Sequence, residues 1–293
     1  MKKVMEESNL SFVEWNLNYG SSDSVKPAIF VPKYIEGCDV GILTEVRANE
    51  YLMRMIIDMG DYDVICSDDQ GKYSNQIVIL ARKELGLSKV KGSLELEVAP
   101  DFLHGRITVR EKIVNIIGFR VKIGGSASYA DRFEQFKALK KYLDSLEGEK
   151  VICAGDANSG QIRGNSEDNY DAVRLLYQYR YNKELSDLRF YNWHMIKEEL
   201  GDQYVIKELM AEDSSWGLSE RNGALLYGLG ARIKNDLLFY SKDIEGYGEY
   251  SWDHVRENEG EYLNMFAKNR SRRGNKIEHG FPDHARLIAS LRV

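Results

Sequence analysis

The chain between residues 151 and 158 runs Val151-Ile152-Cys153-Ala154-Gly155-Asp156-Ala157-Asn158. Its first four residues are small or apolar and two are β-branched, which predicts a buried strand. Gly155 then releases the chain, and an acidic and an amide side chain follow two residues apart, where both can reach into one cleft. Taken alone, the segment fits a plain strand and Asx turn better than a functional site.

Four further strand boundaries carry polar side chains of complementary chemistry. They are Asn16 and Asn18 after the strand 10–15, Glu45 after the strand 39–43, Asp236 before the strand 237–240, and Asp283-His284 before the strand 285–293. A lone glutamate at such a place is usually a solvated loop residue, but one grouped with other acidic strand ends is a plausible ligand for a hard cation such as Mg²⁺. The five boundaries together predict a metal-assisted phosphoryl site centred on Asp156 and Asn158.

Composition bounds the class of protein. The chain has 293 residues, 43% hydrophobic and 29% charged, which suits one large α/β domain. A formal net charge of −6 argues against a generally basic nucleic-acid coat but leaves room for a local patch. Three cysteines form no CxxC pair, and the N-terminus lacks the apolar run of a signal peptide. We expect a cytoplasmic protein with reduced thiols, no membrane span and a monomeric state.

Periodicity predicts the remaining elements. Helices are expected at 50–59 and 129–146, and strands at 62–66, 76–81 and 113–119, the last followed by Arg120. The segments 94–98 and 106–110 alternate like a hairpin pair, 167–210 has the pattern of an aromatic-rich helical insert, and 241–280 looks loop-like. No repeat or linker divides the chain, so residues 1–293 are predicted to form one domain.

A basic run lies shortly before the last strand. Two interpretations are about equally supported: a surface that tracks a nucleic-acid backbone, or a solvated loop whose charges offset an acidic surface. The run consists of Lys268, Arg270, Arg272, Arg273 and Lys276.

The motifs, taken in order, resemble those of the endonuclease/exonuclease/phosphatase superfamily. They are Trp15-Asn16-Leu17-Asn18, Leu43-Thr44-Glu45, Gly155-Asp156-Ala157-Asn158, Asp236 before an apolar strand, and Asp283-His284 before the C-terminal strand. Each motif is weak alone, but five in family order cover essentially the whole chain. The resemblance implies a four-layer α/β sandwich of two mixed sheets packed face to face, with helices outside and the site at one end of the sheets.

The resemblance also implies a role for each residue. Glu45 is similar to the principal metal ligand, assisted by Asn16 and Asp283, with Mg²⁺ as the expected cofactor and Mn²⁺ as an alternative. Asp156 resembles the carboxylate that positions or deprotonates the attacking water, and Asn158 the amide that holds the phosphate. His284 resembles the catalytic histidine, oriented by Asp236. The other histidines are expected to be structural: His104, His194, His254 and His279.

Three positions depart from the family pattern. Arg120 stands where many members have histidine or tyrosine, and because arginine stays protonated it is predicted to bind phosphate and not to shuttle a proton. Asn18, also placed among the phosphate-binding residues, stands where several repair nucleases have aspartate, which weakens the case for a second metal. Pro282 and Arg286 replace the usual residues around the terminal Asp-His pair.

Three functions remain open from the sequence. The first is a Mg²⁺-dependent nuclease acting on DNA, favoured by the basic run and the aromatic insert. The second is a phosphatase or phosphodiesterase acting on a phospholipid, inositol phosphate or nucleotide, favoured by the acidic net charge and Arg120. The third is a non-catalytic binding protein on the same fold. Substrate choice and endo- or exo-cleavage depend on loops grafted onto a common site.

Overall fold

The computed structural model describes residues 9–18, 30–46, 50–68, 75–122, 129–161, 204–206, 215–227, 234–270, 277–278 and 280–293. Its strands are β1 (Asn9–Asn16), β2 (Val40–Val46), β3 (Tyr62–Cys66), β4 (Gln76–Arg82), β5 (Ser88–Lys89), β6 (Asp101–Val109), β7 (Lys112–Arg120), β8 (Lys150–Gln161), β9 (Tyr204–Ile206), β10 (Leu218–Arg221), β11 (Ala224–Tyr227), β12 (Lys234–Ser241), β13 (Glu245–Ser251) and β14 (Arg286–Arg292). The helices are α1 (Phe30–Ile35), α2 (Glu50–Asp58), α3 (Tyr129–Asp144), α4 (Asp253–Arg256) and α5 (Glu259–Arg270), with a short 3₁₀ turn at Lys83–Leu85.

Two six-stranded mixed sheets form the centre of the fold. The first has the order β13-β14-β1-β2-β4-β3, and the second has the order β5-β6-β7-β8-β12-β9. Strands β1 and β2 are parallel, as are β7 and β8, while the other pairings in both sheets are antiparallel. A separate hairpin joins β10 to β11.

The main apolar core lies between the two sheets. Side chains that alternate inward along the strands supply it, including Phe12 and Ile42 from the first sheet and Ile116 and Ile152 from the second. The sheets approach closely at Gly118, where a Cβ atom would lie 2.7 Å from a methyl group of Ile77. Only glycine therefore allows this spacing without repacking.

Helices α1, α2 and α3 pack on the outer faces of the sheets, while α4 and α5 contribute to the core cluster between them. Buried side chains of α1 and α2 pack in one cluster with the outward residues of β1, β2 and β4, and those of α3 pack in another with β7, β8 and β12. These two clusters and the inter-sheet core give the order helix, sheet, sheet, helix. The four-layer sandwich predicted from the sequence is confirmed.

Four predictions about individual elements need correction or narrowing. Strand β8 does not stop at Gly155 but runs on to Gln161, because β12 pairs with it beyond that point. Residues 94–98 form no strand and do not pair with 106–110, because β5 and β7 occupy the two edges of β6. The region 241–280 is not a loop but holds β13, α4 and α5. Within 167–210 the described residues, Tyr204–Ile206, form a strand, and the rest of that predicted insert lies outside the described residues.

The helices within the described ranges differ from membrane-spanning helices in length and apolarity. None of them is both long enough and apolar enough to cross a membrane.

Candidate active site

The polar strand boundaries meet at one edge of the sandwich. The C-terminal ends of the parallel strands β1, β2, β7 and β8 lie at the same edge as the N-terminal ends of β12 and β14. In the second sheet the register places Arg120, Asp156 and Asp236 side by side on β7, β8 and β12. The predicted residues are therefore brought together by strand pairing.

Asp156 is the centre of a buried hydrogen-bond cluster and is 1% exposed. Its Oδ2 accepts the side-chain amides of Asn16 at 3.0 Å and Asn158 at 2.9 Å, and its Oδ1 accepts the backbone N–H of Asn158 at 2.8 Å. The last of these hydrogen bonds closes an Asx turn, and it holds Asn158 at a positive φ of 49°. The Asx turn and the candidate site predicted for residues 151–158 are therefore compatible, because the turn itself fixes the side chains of Asp156 and Asn158.

His284 and Asp236 form the second buried pair. Nδ1 of His284 lies 2.8 Å from Oδ2 of Asp236, so the opposite ring nitrogen, Nε2, is left to face the site. The Asp236 backbone N–H donates to the Ser215 hydroxyl. The backbone carbonyl of Ser215 in turn accepts the N–H of Ala285. Trp15 donates its indole N–H to the His284 carbonyl at 3.2 Å. The pair is therefore fixed through its backbone as well as its side chains.

The pKa values of His284 and Asp156 are both raised, for different reasons. Burial favours the neutral imidazole of His284, but the carboxylates of Asp236, Asp156 and Asp283 outweigh it and raise the pKa of His284 to about 10. Burial also raises the pKa of Asp156 to about 7, with Asp236 and Glu45 adding to the rise and His284 and Arg120 opposing it. At neutral pH the site thus contains a protonated imidazole beside a carboxyl group that can both accept and release a proton.

Glu45 lies at an irregularity in β2 and pairs with Arg120. Its φ is +50°, and the ladder to β4 shifts between Leu43 and Val46, so the side chain is turned out of the normal alternation. Nε of Arg120 donates to Oε1 of Glu45 at 2.7 Å, and Nη1 donates to Asp101 at 3.2 Å. Burial alone would raise the pKa of Glu45, but the charges of Arg120 and His284 together with the hydrogen bonds from Arg120 and Asn16 outweigh it and lower that pKa.

Three polar pairs at the site cross from one sheet to the other. Asn16 and Glu45, on β1 and β2, and His284, just before β14, belong to the first sheet, while their respective partners Asp156, Arg120 and Asp236 belong to the second. The site is consequently a seam between the sheets and not a feature of either alone.

The oxygen donors around Glu45 suit a hard cation. Burial raises the pKa of Asp283, His284 lowers it, and the nearby Glu45 raises it further, so the two carboxylates repel each other across the site. In the described ranges no three His, Cys, Asp or Glu side chains converge as a metal cage. Two carboxylates and the Asn16 amide form a set of few hard-oxygen ligands, which fits Mg²⁺ or Mn²⁺ because such ions keep several of their waters.

Two predicted binding groups have contacts of their own. Asn18, with a φ of 45°, donates its side-chain amide to the Phe281 carbonyl at 3.1 Å and its backbone N–H to Oδ1 of Asn16. In this structure Asn18 therefore connects the Asn16 side chain to the backbone at Phe281. Of the basic run, Lys268 lies exposed on α5 and Arg270 is the last residue of that helix. Arg272, Arg273 and Lys276 lie outside the described residues.

Three residues at the site were not anticipated. Asp101 faces Arg120 across the β6–β7 ladder, and Ser215 connects the Asp236 and Ala285 backbones. Glu14 is fully buried and accepts the Thr44 hydroxyl at 3.1 Å, and burial together with nearby Asp236 and Asp156 raises its pKa well above the usual value. Only Glu14 left a signal in the sequence, because it precedes Asn16 by two residues on the inward face of β1.

Comparison with known proteins identifies the fold. No protein-family model and no curated protein sequence matches the chain. Its structure is similar to TDP2 from D. rerio complexed with a single-stranded DNA product, with a TM-score of 0.57, 13% identity, and 98% of this chain and 100% of that one covered. It is similar to an AP endonuclease from Archaeoglobus fulgidus, with a TM-score of 0.58, 15% identity, and 97% and 100% covered.

A third similar structure is an endonuclease/exonuclease/phosphatase family protein from Bacteroides thetaiotaomicron, with a TM-score of 0.57, 13% identity, and 97% of each chain covered. The three matches run over nearly the full length of both partners. The chain therefore has an endonuclease/exonuclease/phosphatase-type fold, as its motifs predicted.

Proposed function

We propose that this chain is a divalent-metal-dependent phosphodiester hydrolase whose substrate is DNA. The observation that carries the proposal is the presence of two buried cross-sheet pairs, Asn16 with Asp156 and His284 with Asp236, at one edge of the sandwich. A phosphodiester repels an incoming hydroxide, so its hydrolysis requires a base, a positive charge on the phosphoryl oxygens and a proton for the leaving oxygen.

Asp156 is proposed to take the proton from the attacking water. Its Oδ1 and Oδ2 are fixed by Asn158 and Asn16, so the carboxylate presents a constant direction to a water in the cleft. A pKa of about 7 places it near the value at which a general base is most effective at neutral pH. Asn158 lies beside it as a donor to a phosphoryl oxygen.

His284 is proposed to supply positive charge and a proton at the phosphate. Asp236 holds Nδ1 at 2.8 Å and stabilises the imidazolium form, which leaves the Nε2 proton to be donated to a phosphoryl or leaving oxygen. The buried contacts of Ser215 and Trp15 keep the ring from turning away.

Glu45, Asn16 and Asp283 are proposed to hold the divalent cation, Mg²⁺ or Mn²⁺. Such an ion, when bound, neutralises charge on the phosphate and favours formation of hydroxide. In this chain the carboxylates of Glu45 and Asp283 supply the negative charge that binds it, and Asn16 connects it to the Asp156 cluster through its amide.

DNA is proposed as the substrate on two grounds. One similar structure, TDP2, holds a single-stranded DNA product, and another is named an AP endonuclease. The basic run 268–276 also leads directly toward Asp283 and His284 in sequence. The net charge of −6 favours a second candidate, hydrolysis of a phospholipid, inositol phosphate or nucleotide.

Cys38 has the properties of a structural thiol. Burial raises its pKa to about 12. A thiol with so high a pKa is inert at neutral pH, so Cys38 is proposed to have a packing role and no part in the chemistry.

One activity panel tests the proposal. Purified protein with Mg²⁺ is given single-stranded, double-stranded and abasic DNA, RNA, and phosphoinositides, with Asp156→Asn as the matched inactive control. We expect cleavage of DNA that stops in excess chelator and returns with Mg²⁺ or Mn²⁺. Full activity in chelator contradicts the metal role, and turnover of phosphoinositides alone moves the assignment to the second candidate.

The basic run is tested by salt dependence. Replacing Arg270, Arg272 and Arg273 with glutamine is expected to flatten the slope of log affinity against log salt by about 0.7–0.9 for each phosphate that these side chains neutralise in the wild type. Turnover of a small soluble phosphodiester is expected to stay the same. An unchanged slope for DNA removes the local support for a nucleic-acid substrate.

A further inference from the structure

Arg120 makes its close contacts in this structure with carboxylates. Nε and Nη2 both lie 2.7 Å from the same oxygen of Glu45, Oε1, while Nη1 lies 3.2 Å from Oδ2 of Asp101. The Arg120 side chain is 14% exposed and that of Asp101 is 2% exposed. The guanidinium is therefore largely buried between Glu45 on β2 and Asp101 on β6.

The pairing of Arg120 with a single oxygen determines how Glu45 can bind a cation. Two N–H groups on Oε1 engage the lone pairs of that oxygen, so a cation meets Glu45 through Oε2. Carboxylates that bind metals are themselves commonly held by hydrogen bonds that fix their direction. Arg120 makes this kind of hydrogen bond to Glu45.

Glu45 needs such an anchor more than an ordinary strand residue does. Its positive φ and the shift in the β2–β4 ladder place its backbone in a conformation that non-glycine residues seldom adopt. The guanidinium holds the Glu45 carboxylate from the opposite sheet through two contacts with Oε1.

Asp101 fixes Arg120 in turn. It lies directly opposite Arg120 in the β6–β7 ladder, and its other oxygen, Oδ1, lies 3.5 Å from the Lys122 ammonium. A rigid chain of charges thus runs from Lys122 through Asp101 and Arg120 to Glu45, crossing from the second sheet to the first.

We infer that Arg120 is a positioning residue for Glu45, which holds Oε1 so that Oε2 is presented to the divalent cation, with Asp101 as its support. This inference rests on the proposed metal role of Glu45. It differs from a phosphate-binding role, because it predicts an effect on metal affinity when no substrate is present. It also differs from competition, in which the guanidinium occupies the cation's place and its removal tightens metal binding.

The test measures Mn²⁺ binding to the full chain without substrate, by the decrease of the free Mn²⁺ electron paramagnetic resonance signal and by calorimetry. Arg120→Ala is expected to weaken binding by roughly 10–100-fold, the range for removal of an outer-shell partner. Arg120→Lys keeps the charge but not the fork, and is expected to fall between wild type and Arg120→Ala. Asp101→Asn is expected to weaken binding in the same direction by a smaller factor.

Arg106→Gln is the matched control. It removes one positive charge from β6 at a partly exposed position outside the chain of charges, and it is expected to leave Mn²⁺ affinity unchanged. Circular dichroism and thermal melting establish that each variant is folded. If Arg120→Ala does not fold, Arg120→Lys and Asp101→Asn decide the question by the same measurement.

Glu45→Gln separates this inference from the proposed function. Loss of Mn²⁺ binding in Glu45→Gln together with weaker binding in the Arg120 variants supports both. Loss of binding in Glu45→Gln with unchanged or tighter binding in Arg120→Ala and Arg120→Lys overturns the positioning role alone. Equal weakening in Arg106→Gln also overturns it, and unchanged binding in Glu45→Gln rejects the metal role and the inference together.

Discussion

His254 provides a quantitative test of how the fold depends on pH. It is 1% exposed and surrounded by aromatic rings, with ring centroids 4.8 Å from Trp15, 6.0 Å from Trp252, 6.1 Å from Tyr34 and 6.3 Å from Tyr262. Its ring nitrogens make no hydrogen bond within the described ranges, although the nearby Pro282 carbonyl slightly favours the charged form. Such a cage stabilises a neutral ring.

The sign and size of the effect follow from the shifted pKa. Burial, assisted by the Arg286 charge, lowers the pKa of His254 from 6.5 to about 3 in the folded protein. The folded state therefore prefers the neutral form, so its contribution to stability is complete above pH 6.5 and is lost as the pH falls toward 3. Between pH 8 and pH 5 this one residue is expected to cost about 2 kcal/mol, with about 1.4 kcal/mol for each further pH unit down to the folded pKa.

Urea unfolding of wild type and His254→Phe at pH 8 and pH 5 measures this contribution. Phenylalanine fits the aromatic cage and cannot be protonated, so the variant is expected to be about as stable as wild type at pH 8 and about 2 kcal/mol more stable at pH 5. Groups common to both proteins cancel in the difference. Parallel pH dependences would refute the reasoning.

A contrasting variant checks that the effect belongs to the cage. His104 is also buried, but its ring nitrogens contact Tyr142 and Asn115 at 2.8 and 2.9 Å. His104→Phe is therefore expected to reduce stability at both pH values, because Tyr142 loses its contact with the ring and Asn115 Oδ1 keeps only the hydrogen bond from Arg106.

Three further outcomes are expected. Asp236→Asn and His284→Ala should reduce turnover by factors that do not multiply in the double variant, since the pair acts as a unit; steady-state kinetics decides, and independent effects would separate the two residues. Gly155→Ala should lower the free energy of unfolding by about 3 kcal/mol or more, because its Cβ would lie 1.8 Å from a carbonyl oxygen of β7. Gly148→Ala, with φ of +84° and open space, is the matched control and should cost about 1 kcal/mol; equal destabilisation in urea would contradict the steric argument. Trp15→Phe should lower both stability, by about 1–3 kcal/mol, and turnover, because it removes the hydrogen bond to the His284 carbonyl; unchanged kinetics would show that this bond does not position the ring.

The sequence predicted which strand-boundary residues lie together because its signals are local. Asn16, Glu45, Asp156 and His284 each lie within two positions of an apolar run, and buried strands of that length are recognisable from their apolar, β-branched composition. Once Asn16, Glu45, Asp156 and His284 stand at strand boundaries, the parallel and antiparallel ladders bring them to one edge. Their roles stay predictions, whereas their proximity is a property of the structure.

The sequence failed where an element depends on its partner. Strand β13 reads EGYGEYS, with two glycines and mostly exposed residues, and it forms because β14 offers a complete edge. Asp101 gave no sign of its contact with Arg120, because that contact requires the β6–β7 register, and the predicted hairpin used the wrong segment. Long-range pairing, and not local preference, decided both cases.

The position of the site between the two sheets has a consequence for how its polar groups are assembled. Asn16, Glu45 and His284 come from one sheet and Asp156, Arg120 and Asp236 from the other, so neither sheet alone contains the full set of polar groups. The arrangement is complete only when both sheets have formed and packed against each other.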